Sequence, residues 1–199
     1  DNELYVKLQA KTIKERIRYL KSLGFSKDKI IKMCSKVPAI YTIGEDNISK
    51  KIEDMESLGY TQEEVINIIS IVPSIFTVSF LVLKNKIQVL KEFGYTDDEI
   101  KYITMSCPSI FSYSDENISE KILYMQSIGL EKHILKTPKC LINGVDTTYA
   151  RYRYFTEDEQ TPIDLDNCSL LFMGEERFKR RTALSKKDII DRYNYDKEI

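Results

Sequence analysis

The chain has 199 residues, with 30 Lys and Arg against 31 Asp and Glu, and 42% of its residues are hydrophobic. This length and apolar content allow one or two compact domains with a core of ordinary size. No run approaches the 18 apolar residues of a transmembrane helix, so no membrane span is expected. The balanced charge argues against a uniformly basic nucleic-acid-binding domain.

The cysteines at 34, 107, 140 and 168 form no CxxC pair, and the single histidine, His133, is not spaced to join two of them as zinc ligands. We therefore predict buried free thiols in a reducing, intracellular compartment, with no metal and no other cofactor. The chain begins at Asp1 without an initiator Met, which is typical of a processed protein or a fragment.

A repeat of 35 residues organises most of the chain. Four glycines recur at this spacing, and a proline follows each of the first three by 14 positions. These residues are Gly24, Gly59, Gly94 and Gly129, with Pro38, Pro73 and Pro108. Windows 60–94 and 95–129 are identical at 12 of 35 positions, which indicates a repeat architecture and not chance similarity.

The N-terminal segment predicts a helix that ends at the first glycine. Its apolar residues Ile13, Ile17, Leu20 and Leu23 follow helical spacing up to Gly24. It corresponds to the second helix of a truncated first repeat.

Each full repeat then predicts two helices. The first begins after an N-cap at Ser26, Thr61 or Thr96 and ends before the proline, which disfavours helix in the preceding residue. Glutamates three residues after the two threonines have capping-box spacing. The second helix carries apolar residues at spacings of 4, 3 and 3, and the glycine after it is predicted to be left-handed.

The chain thus holds a half repeat, three full repeats (25–59, 60–94 and 95–129) and a shortened fourth, in which Pro138 follows its glycine by only nine residues. A helix pair this short cannot bury its own apolar face, so the repeats must stack. We therefore predict an all-α fold, an α-solenoid of about 35-residue helical repeats.

Residues 144–199 lack the glycine spacing but still predict helices, at 147–155, 167–173, 175–181 and 186–193. The acidic stretch 157–166 is predicted to be a loop. We expect this segment to cap the open end of the repeats, which divides the chain into a repeat domain, 1–143, and a helical capping region, 144–199.

The motif Leu-x-x-Leu-Gly-Phe/Tyr-Ser/Thr, an acidic and aliphatic helix and then Pro-x-Ile-Phe resembles the repeat of the mitochondrial transcription termination factor (mTERF) family, over about residues 10–143. The scarcity of alanine and the position of the proline argue against tetratricopeptide and pentatricopeptide repeats. The resemblance implies units of two α-helices and a short 3₁₀ helix, the latter at 38–42, 73–77 and 108–112.

The same resemblance implies a non-enzymatic protein that binds double-stranded DNA or RNA in an organelle, in transcription termination, ribosomal RNA binding or ribosome assembly. This chain has fewer repeats and is less basic than most members of the family. Its abundant Ile, Lys, Tyr and Asn indicate an AT-rich genome. A bacterial source would make the compartment cytoplasmic, whereas the family context implies an organelle.

One candidate set of phosphate contacts is a column of cations eight residues before each glycine: Arg16, Lys51, Lys86 and Lys121. One cation per repeat on the same helical face would follow a phosphate backbone without reading sequence. The alternative is that the column pairs with the acidic residues Asp28, Glu63 and Asp98, which recur with the same regularity.

Two further clusters are candidate nucleic-acid contacts. Near the N-terminus, Lys7, Lys11, Lys14, Arg18 and Lys21 follow helical spacing and predict a positive stripe. In the tail, Arg151 and Arg153 alternate with tyrosines, and Lys179, Arg180 and Arg181 follow. Interleaved aromatic and arginine residues are typical of single-stranded nucleic-acid platforms, although such tyrosines also serve as half-buried packing residues.

Charge is polarised along the repeats. Residues 1–24 carry six basic and three acidic residues, whereas 95–129 carry two and six. A duplex is therefore expected at the N-terminal end or along one face only.

The sequence contains no phosphate loop, HExxH motif or nucleophile elbow, so no enzymatic activity is expected. His133 is predicted to be a packing or surface residue. The first hypothesis is a monomeric nucleic-acid-binding protein of transcription or RNA metabolism. The alternative is a scaffold that holds a partner helix or peptide in the groove of the solenoid.

Overall fold

The computed structural model describes the backbone of residues 2–195 and the side chains of residues 11–195. Within this part of the chain the fold is all-α, as predicted, with eleven α-helices and no β-strand. The α-helices are α1 (Asn2–Ser22), α2 (Lys27–Lys36), α3 (Glu45–Glu56), α4 (Gln62–Ile71), α5 (Phe80–Glu92), α6 (Asp97–Ser106), α7 (Asp115–Ser127), α8 (Lys132–Lys136), α9 (Val145–Arg153), α10 (Glu175–Thr182) and α11 (Lys186–Arg192).

The chain forms two compact units, Asp1–Ser112 and Tyr113–Ile199. The first holds the half repeat, two full repeats and the start of the third. The second holds the rest of the third repeat, the shortened fourth and the tail. The division into a repeat domain, 1–143, and a capping region, 144–199, stays a prediction.

The predicted N-caps of the first helices are confirmed. The hydroxyl groups of Ser26, Thr61 and Thr96 each accept a hydrogen bond from the backbone N–H three residues later. Thr61 with Glu64, and Thr96 with Glu99, form complete capping boxes, which satisfy two backbone donors that the first helical turn leaves open.

A short 3₁₀ helix begins at each repeat proline. The four segments are Pro38–Tyr41, Pro73–Thr77, Pro108–Ser112 and Pro138–Ile142, and the first three confirm the third helices that the family resemblance implied. In each case the next α-helix starts seven residues after the proline. Proline prevents its predecessor from continuing the α-helix, so the chain turns at the same point in every repeat.

The repeat glycines are left-handed, as predicted, with φ of 101°, 96°, 86° and 70° in chain order. At Gly24, Gly94 and Gly129, the N–H of the following residue donates to a carbonyl five residues back, for example from Leu130 to Met125 at 2.8 Å. This bond is the signature of a Schellman C-cap, which ends the second helix and redirects the chain.

Replacing Gly94 by alanine is expected to lower the free energy of unfolding by about 1 kcal/mol, because an L-residue is strained at φ of 86°. A Cβ atom there would meet nothing within 4 Å, so the cost is conformational and not steric. Gly94→Asn is the matched comparison, because asparagine adopts the left-handed region more readily than alanine. Urea unfolding should show a loss for Gly94→Asn that is smaller than the loss for Gly94→Ala by about 0.5 kcal/mol; equal losses in both variants would contradict this explanation.

In the first compact unit, equivalent helices of successive repeats pack on each other, α2 on α4 and α3 on α5. The predicted apolar stripes form the core, in which Leu20, Met33, Ile48 and Ile68 are fully buried. The hydroxyl oxygens of Tyr60 and Thr104, from successive repeats, lie 2.7 Å apart and form a hydrogen bond. The polar atoms of this buried contact are therefore satisfied.

The helix predicted at 167–173 is present in the tail as a 3₁₀ helix. A 3₁₀ helix spans Cys168–Phe172, and α10 begins at Glu175, seven residues after Cys168. This spacing equals that of the four proline-initiated segments. The tail therefore contains a further copy of the 3₁₀-plus-helix module, which sequence reasoning missed because Cys168 stands where the other copies have proline.

The predicted loop at 157–166 is partly helical. A π-helix, Tyr154–Asp158, continues α9 into it, and α11 packs back on α9. This arrangement brings Asp158 and Glu159, at the end of the π-helix, against α11 and α10.

Candidate nucleic-acid interface

The N-terminal stripe lies on the exposed side of α1. Lys11, Lys14, Arg18 and Lys21 are all exposed, whereas Leu20 on the opposite side of the helix is fully buried. The side chain of Lys7, the fifth predicted member, lies outside the described residues. Because the spacing of 3, 4 and 3 keeps the four cations on one side, α1 presents a continuous positive row.

Further exposed cations follow on α2, which sequence reasoning did not single out. We define the α1–α2 basic surface as the exposed cations of the two helices: Lys11, Lys14, Arg18, Lys21, Lys27, Lys32 and Lys36. Residues 11–36 contain nine basic and two acidic residues. The excess disappears when charges are counted over the whole repeat 25–59, because the acidic residues that balance its lysines lie mostly on α3.

The α1–α2 basic surface has little internal neutralisation. Lys11 Nζ lies 3.9 Å from Glu15 Oε1 within α1, and Lys36 Nζ donates to the backbone carbonyl of Ile71 at 3.2 Å. Both members of the Lys11–Glu15 pair are more than half exposed, so the pair contributes at most about 1 kcal/mol. The cations therefore remain available to an external anion.

The predicted column of cations is not an exposed ladder. Arg16, Lys51, Lys86 and Lys121 are only 8%, 8%, 6% and 4% exposed. A phosphate contact needs a head group that reaches solvent, so the structure contradicts this part of the predicted interface. The cations lie on the same face of their helices as the apolar residues, and this face packs against the rest of the protein.

The column instead joins structural elements. Lys51 Nζ donates to the carbonyl of Val78, which follows the 3₁₀ helix of the next repeat, and lies 3.8 Å from Asp54 Oδ2. Burial lowers the pKa of the Lys51 ammonium, whereas Asp54 acts in the opposite direction. The carbonyl and the carboxylate together stabilise a charge that would otherwise be costly to bury.

Two other members have comparable surroundings. Arg16 Nη1 lies 3.5 Å from Glu45 Oε1, at the start of α3, and Lys121 Nζ lies 4.3 Å from the centre of the Tyr113 ring. The alternative prediction, that the column pairs with Asp28, Glu63 and Asp98, is therefore also wrong for Arg16 and Lys51, whose acidic partners are Glu45 and Asp54.

In the tail, Arg151 is a packing residue and not a phosphate contact. Its side chain is buried, and Nη1 donates to the carbonyls of Leu171 and Met173 at 3.0 and 2.6 Å. Its guanidinium lies 4.4 Å from the centre of the Phe178 ring. Arg151 thereby holds the fifth 3₁₀ helix, Cys168–Phe172, against α9.

The other tail cations reach the surface. Arg153 pairs with Glu157, and Arg181 Nη2 lies 2.9 Å from Glu159 Oε2. Lys179 and Arg180 are exposed on α10. Tyr149 is half-buried against Tyr195, with ring centres 5.2 Å apart, so the aromatic side chains here pack within the protein.

The structure also brings together two buried groups that sequence spacing did not connect. His133 Nδ1 lies 3.0 Å from Cys168 Sγ, and the imidazole stacks on Phe172 at 5.3 Å. Burial lowers the pKa of His133 and raises the pKa of Cys168. Both shifts favour the neutral forms, which is the opposite of what an activated thiolate requires, so the pair serves packing, as predicted for His133.

Between residues 2 and 195, no helix has both the length and the apolar character needed to cross a membrane. Among the side chains of residues 11–195, no group of three or more His, Cys, Asp or Glu is arranged to hold a metal ion.

Stacked helix pairs, proline-initiated 3₁₀ helices and one basic end define an all-α helical-repeat protein. The mTERF family model matches residues 2–179, and the chain belongs to the mTERF family. The match extends past residue 143, where the repeat motif ends, and includes the 3₁₀ helix Cys168–Phe172. Members of this family are non-enzymatic helical-repeat proteins known for nucleic-acid binding and are often organellar. None of the curated proteins matches the chain significantly.

Proposed function

We propose that this protein binds double-stranded DNA or structured RNA through the α1–α2 basic surface, as a non-enzymatic factor in transcription regulation or termination or in RNA metabolism. The observation that carries the proposal is the exposed row of cations on α1. These cations are exposed and, among the described residues, largely unpaired, in contrast to the buried column and to the paired arginines of the tail.

The dimensions of the row suit a duplex. Ten residues separate Lys11 from Lys21, which corresponds to about 15 Å along a helix. A DNA duplex carries about nine phosphate charges over that length, so each of the four cations has several phosphates within reach. Such contacts position a duplex without specifying its sequence.

The charge distribution supports this end over the third repeat as the place where a duplex binds. The repeat 95–129 has two basic and six acidic residues, which would repel a duplex that followed all the repeats. Family membership supports the class of ligand, and the α1–α2 basic surface supports its place. The compartment is proposed to be an organelle, or the cytoplasm for a bacterial source.

Salt dependence tests the proposal. Four phosphate contacts predict a slope of about −3.6 in a plot of log affinity against log salt, so affinity should fall about a hundredfold between 50 and 200 mM salt. Fluorescence anisotropy with a labelled 25-base-pair DNA duplex and an RNA hairpin measures this slope and compares the two polymers.

Absence of binding to either polymer in low salt would overturn the proposal. That result would favour the alternative hypothesis of a protein-binding scaffold. Leu81 and Val82, which are 64% and 41% exposed on the first turn of α5, would then be the first surface to examine.

A further inference from the structure

Three consecutive acidic residues in the tail each pair with an arginine from a different helix. Glu157 pairs with Arg153 of α9, Asp158 Oδ2 lies 2.6 Å from Arg192 Nη2 of α11, and Glu159 Oε2 lies 2.9 Å from Arg181 Nη2 of α10. We call Glu157, Asp158 and Glu159 the acidic turn. Because its carboxylates belong to consecutive residues, the three guanidinium groups are gathered at one place on the second compact unit.

The arginines of this cluster are accessible. Their side chains are 41% to 52% exposed, in contrast to the buried Arg151 a few residues away. All three guanidinium groups also lie over aromatic rings, Arg153 over Tyr149, Arg181 over Phe155 and Arg192 over Tyr193, at 5.7, 5.1 and 5.5 Å. These contacts hold the planar groups in place without satisfying all their donors.

The acidic turn adds negative charge next to helices in which basic residues outnumber acidic ones. Residues 157–166 contain five acidic and no basic residues, whereas residues 175–192 contain seven basic and four acidic residues. Further exposed cations adjoin the cluster on α10 and α11: Arg177, Lys179, Arg180, Lys186 and Lys187. Without the carboxylates of the acidic turn, this part of the protein would carry a net positive charge.

We propose that Arg153, Arg181 and Arg192 form a second binding site for nucleic-acid phosphates, and that the acidic turn occupies this site in the free protein. The inference rests on the proposed nucleic-acid binding and adds a site and its regulation. The N–H groups of an arginine donate to phosphate oxygens in the same geometry as to carboxylate oxygens, so a phosphate can replace a carboxylate at each guanidinium group.

The carboxylates of the acidic turn and the phosphates of a nucleic acid compete for the same three arginines. Each ion pair is solvent-exposed and therefore weak, yet the acidic turn is part of the same chain and acts at a high effective concentration. A nucleic acid presents many phosphates on one molecule, so it also competes for the arginines at a high local concentration.

The test removes the charge of the acidic turn and keeps its shape. In the variant E157Q/D158N/E159Q the side chains retain hydrogen-bond acceptors, including the one that Asp158 offers to the hydroxyl of Tyr193 at 2.6 Å. We expect the variant to bind a labelled DNA duplex about tenfold more tightly than the unchanged protein at 100 mM salt. The slope of log affinity against log salt should steepen by about two to three, because up to three new phosphate contacts form.

The matched control is E53Q/E56Q/D98N, which removes three exposed carboxylates from the first compact unit and changes the net charge equally. We expect its affinity to rise less than about threefold, because it adds charge without exposing an arginine cluster. Equal affinities of the two triple variants would overturn the inference. Circular dichroism of both variants verifies that the tail helices are intact.

A second comparison keeps the inference testable if loss of the ion pairs loosens the tail. Arg181→Gln, added to E157Q/D158N/E159Q, should remove at least half of the gain in log affinity, because it takes away one of the three guanidinium groups that the acidic turn no longer covers. A gain that persists without Arg181 would contradict the site.

Failure of this inference is distinguishable from failure of the proposed function. Replacement of the α1 cations by glutamate tests the α1–α2 basic surface, and the acidic-turn variant tests the tail. Loss of the first effect with retention of the second would place binding in the tail alone, whereas the reverse would leave the proposed function and overturn the second site.

Discussion

Replacing Lys14, Arg18 and Lys21 together by glutamate is expected to weaken binding to a DNA duplex by at least about a hundredfold at 100 mM salt. The three side chains are exposed on one side of α1 and form most of its positive row. Each substitution removes one phosphate contact and places a negative charge in its position. The slope of log affinity against log salt should become shallower by about three, one for each lost contact.

The control for this experiment is K84E/K132E/K139E, which changes the net charge by the same amount at exposed lysines outside the α1–α2 basic surface. It should weaken binding less than about fivefold, since distant exposed charges are screened at this ionic strength. Similar losses in the two variants would mean that binding follows the overall charge and not a surface on α1.

Replacing Lys51 by glutamate is expected to lower the free energy of unfolding by about 3 kcal/mol, because it removes a buried charge that is hydrogen-bonded and leaves its partners unsatisfied. The carbonyl of Val78 loses its donor, and the new carboxylate faces Asp54. Lys51→Met should cost less, since it retains the packing of the aliphatic chain and adds no second negative charge.

The neighbouring Lys50 gives a direct control, because it is exposed although it adjoins Lys51 in sequence. Lys50→Glu should change the free energy of unfolding by less than about 0.5 kcal/mol. Urea denaturation followed by circular dichroism measures all three variants. If Lys51→Glu were as stable as Lys50→Glu, the buried contact with Val78 would not be a stabilising one.

The helix boundaries were predictable because their causes are local. Thr61 and Thr96 cap helices through side chains that reach only three residues along the chain. A repeat proline excludes α-helix at the residue before it, wherever the repeat lies in the fold. The left-handed glycines follow equally from the geometry of a helix end.

The fifth 3₁₀ helix shows where such reasoning stops. Cys168–Phe172 adopts the same element as the proline-initiated segments, but its place depends on contacts with distant residues. Arg151 donates to the carbonyl of Leu171, and His133 contacts Cys168 across 35 residues of sequence. Nothing in the local sequence specifies these partners.

The candidate site was predictable only in part. The shared exposed side of Lys11, Lys14, Arg18 and Lys21 follows from their spacing, which separates them from the apolar residues of the same helix, whereas their role as phosphate contacts stays a prediction. The column was expected on the surface but is buried. Its period did not reveal this, because a row of exposed cations and a row of buried contacts would recur with the same spacing. The tail arginines were recognised as a cluster, but their pairing with the acidic turn required the packing of α10 and α11.

The sequence by itself determined the period, the all-α fold, the helix ends and the positive row on α1, because these depend on neighbours within one or two helical turns. Only the tertiary structure decided which cations reach solvent. Arg16, Lys51 and Arg151 have the same chemistry as Lys14 and Arg181, yet the first three are buried and the other two are exposed. The difference arises from the packing of helices from other repeats, which removes a charge from water when it also supplies a carbonyl, a carboxylate or an aromatic ring.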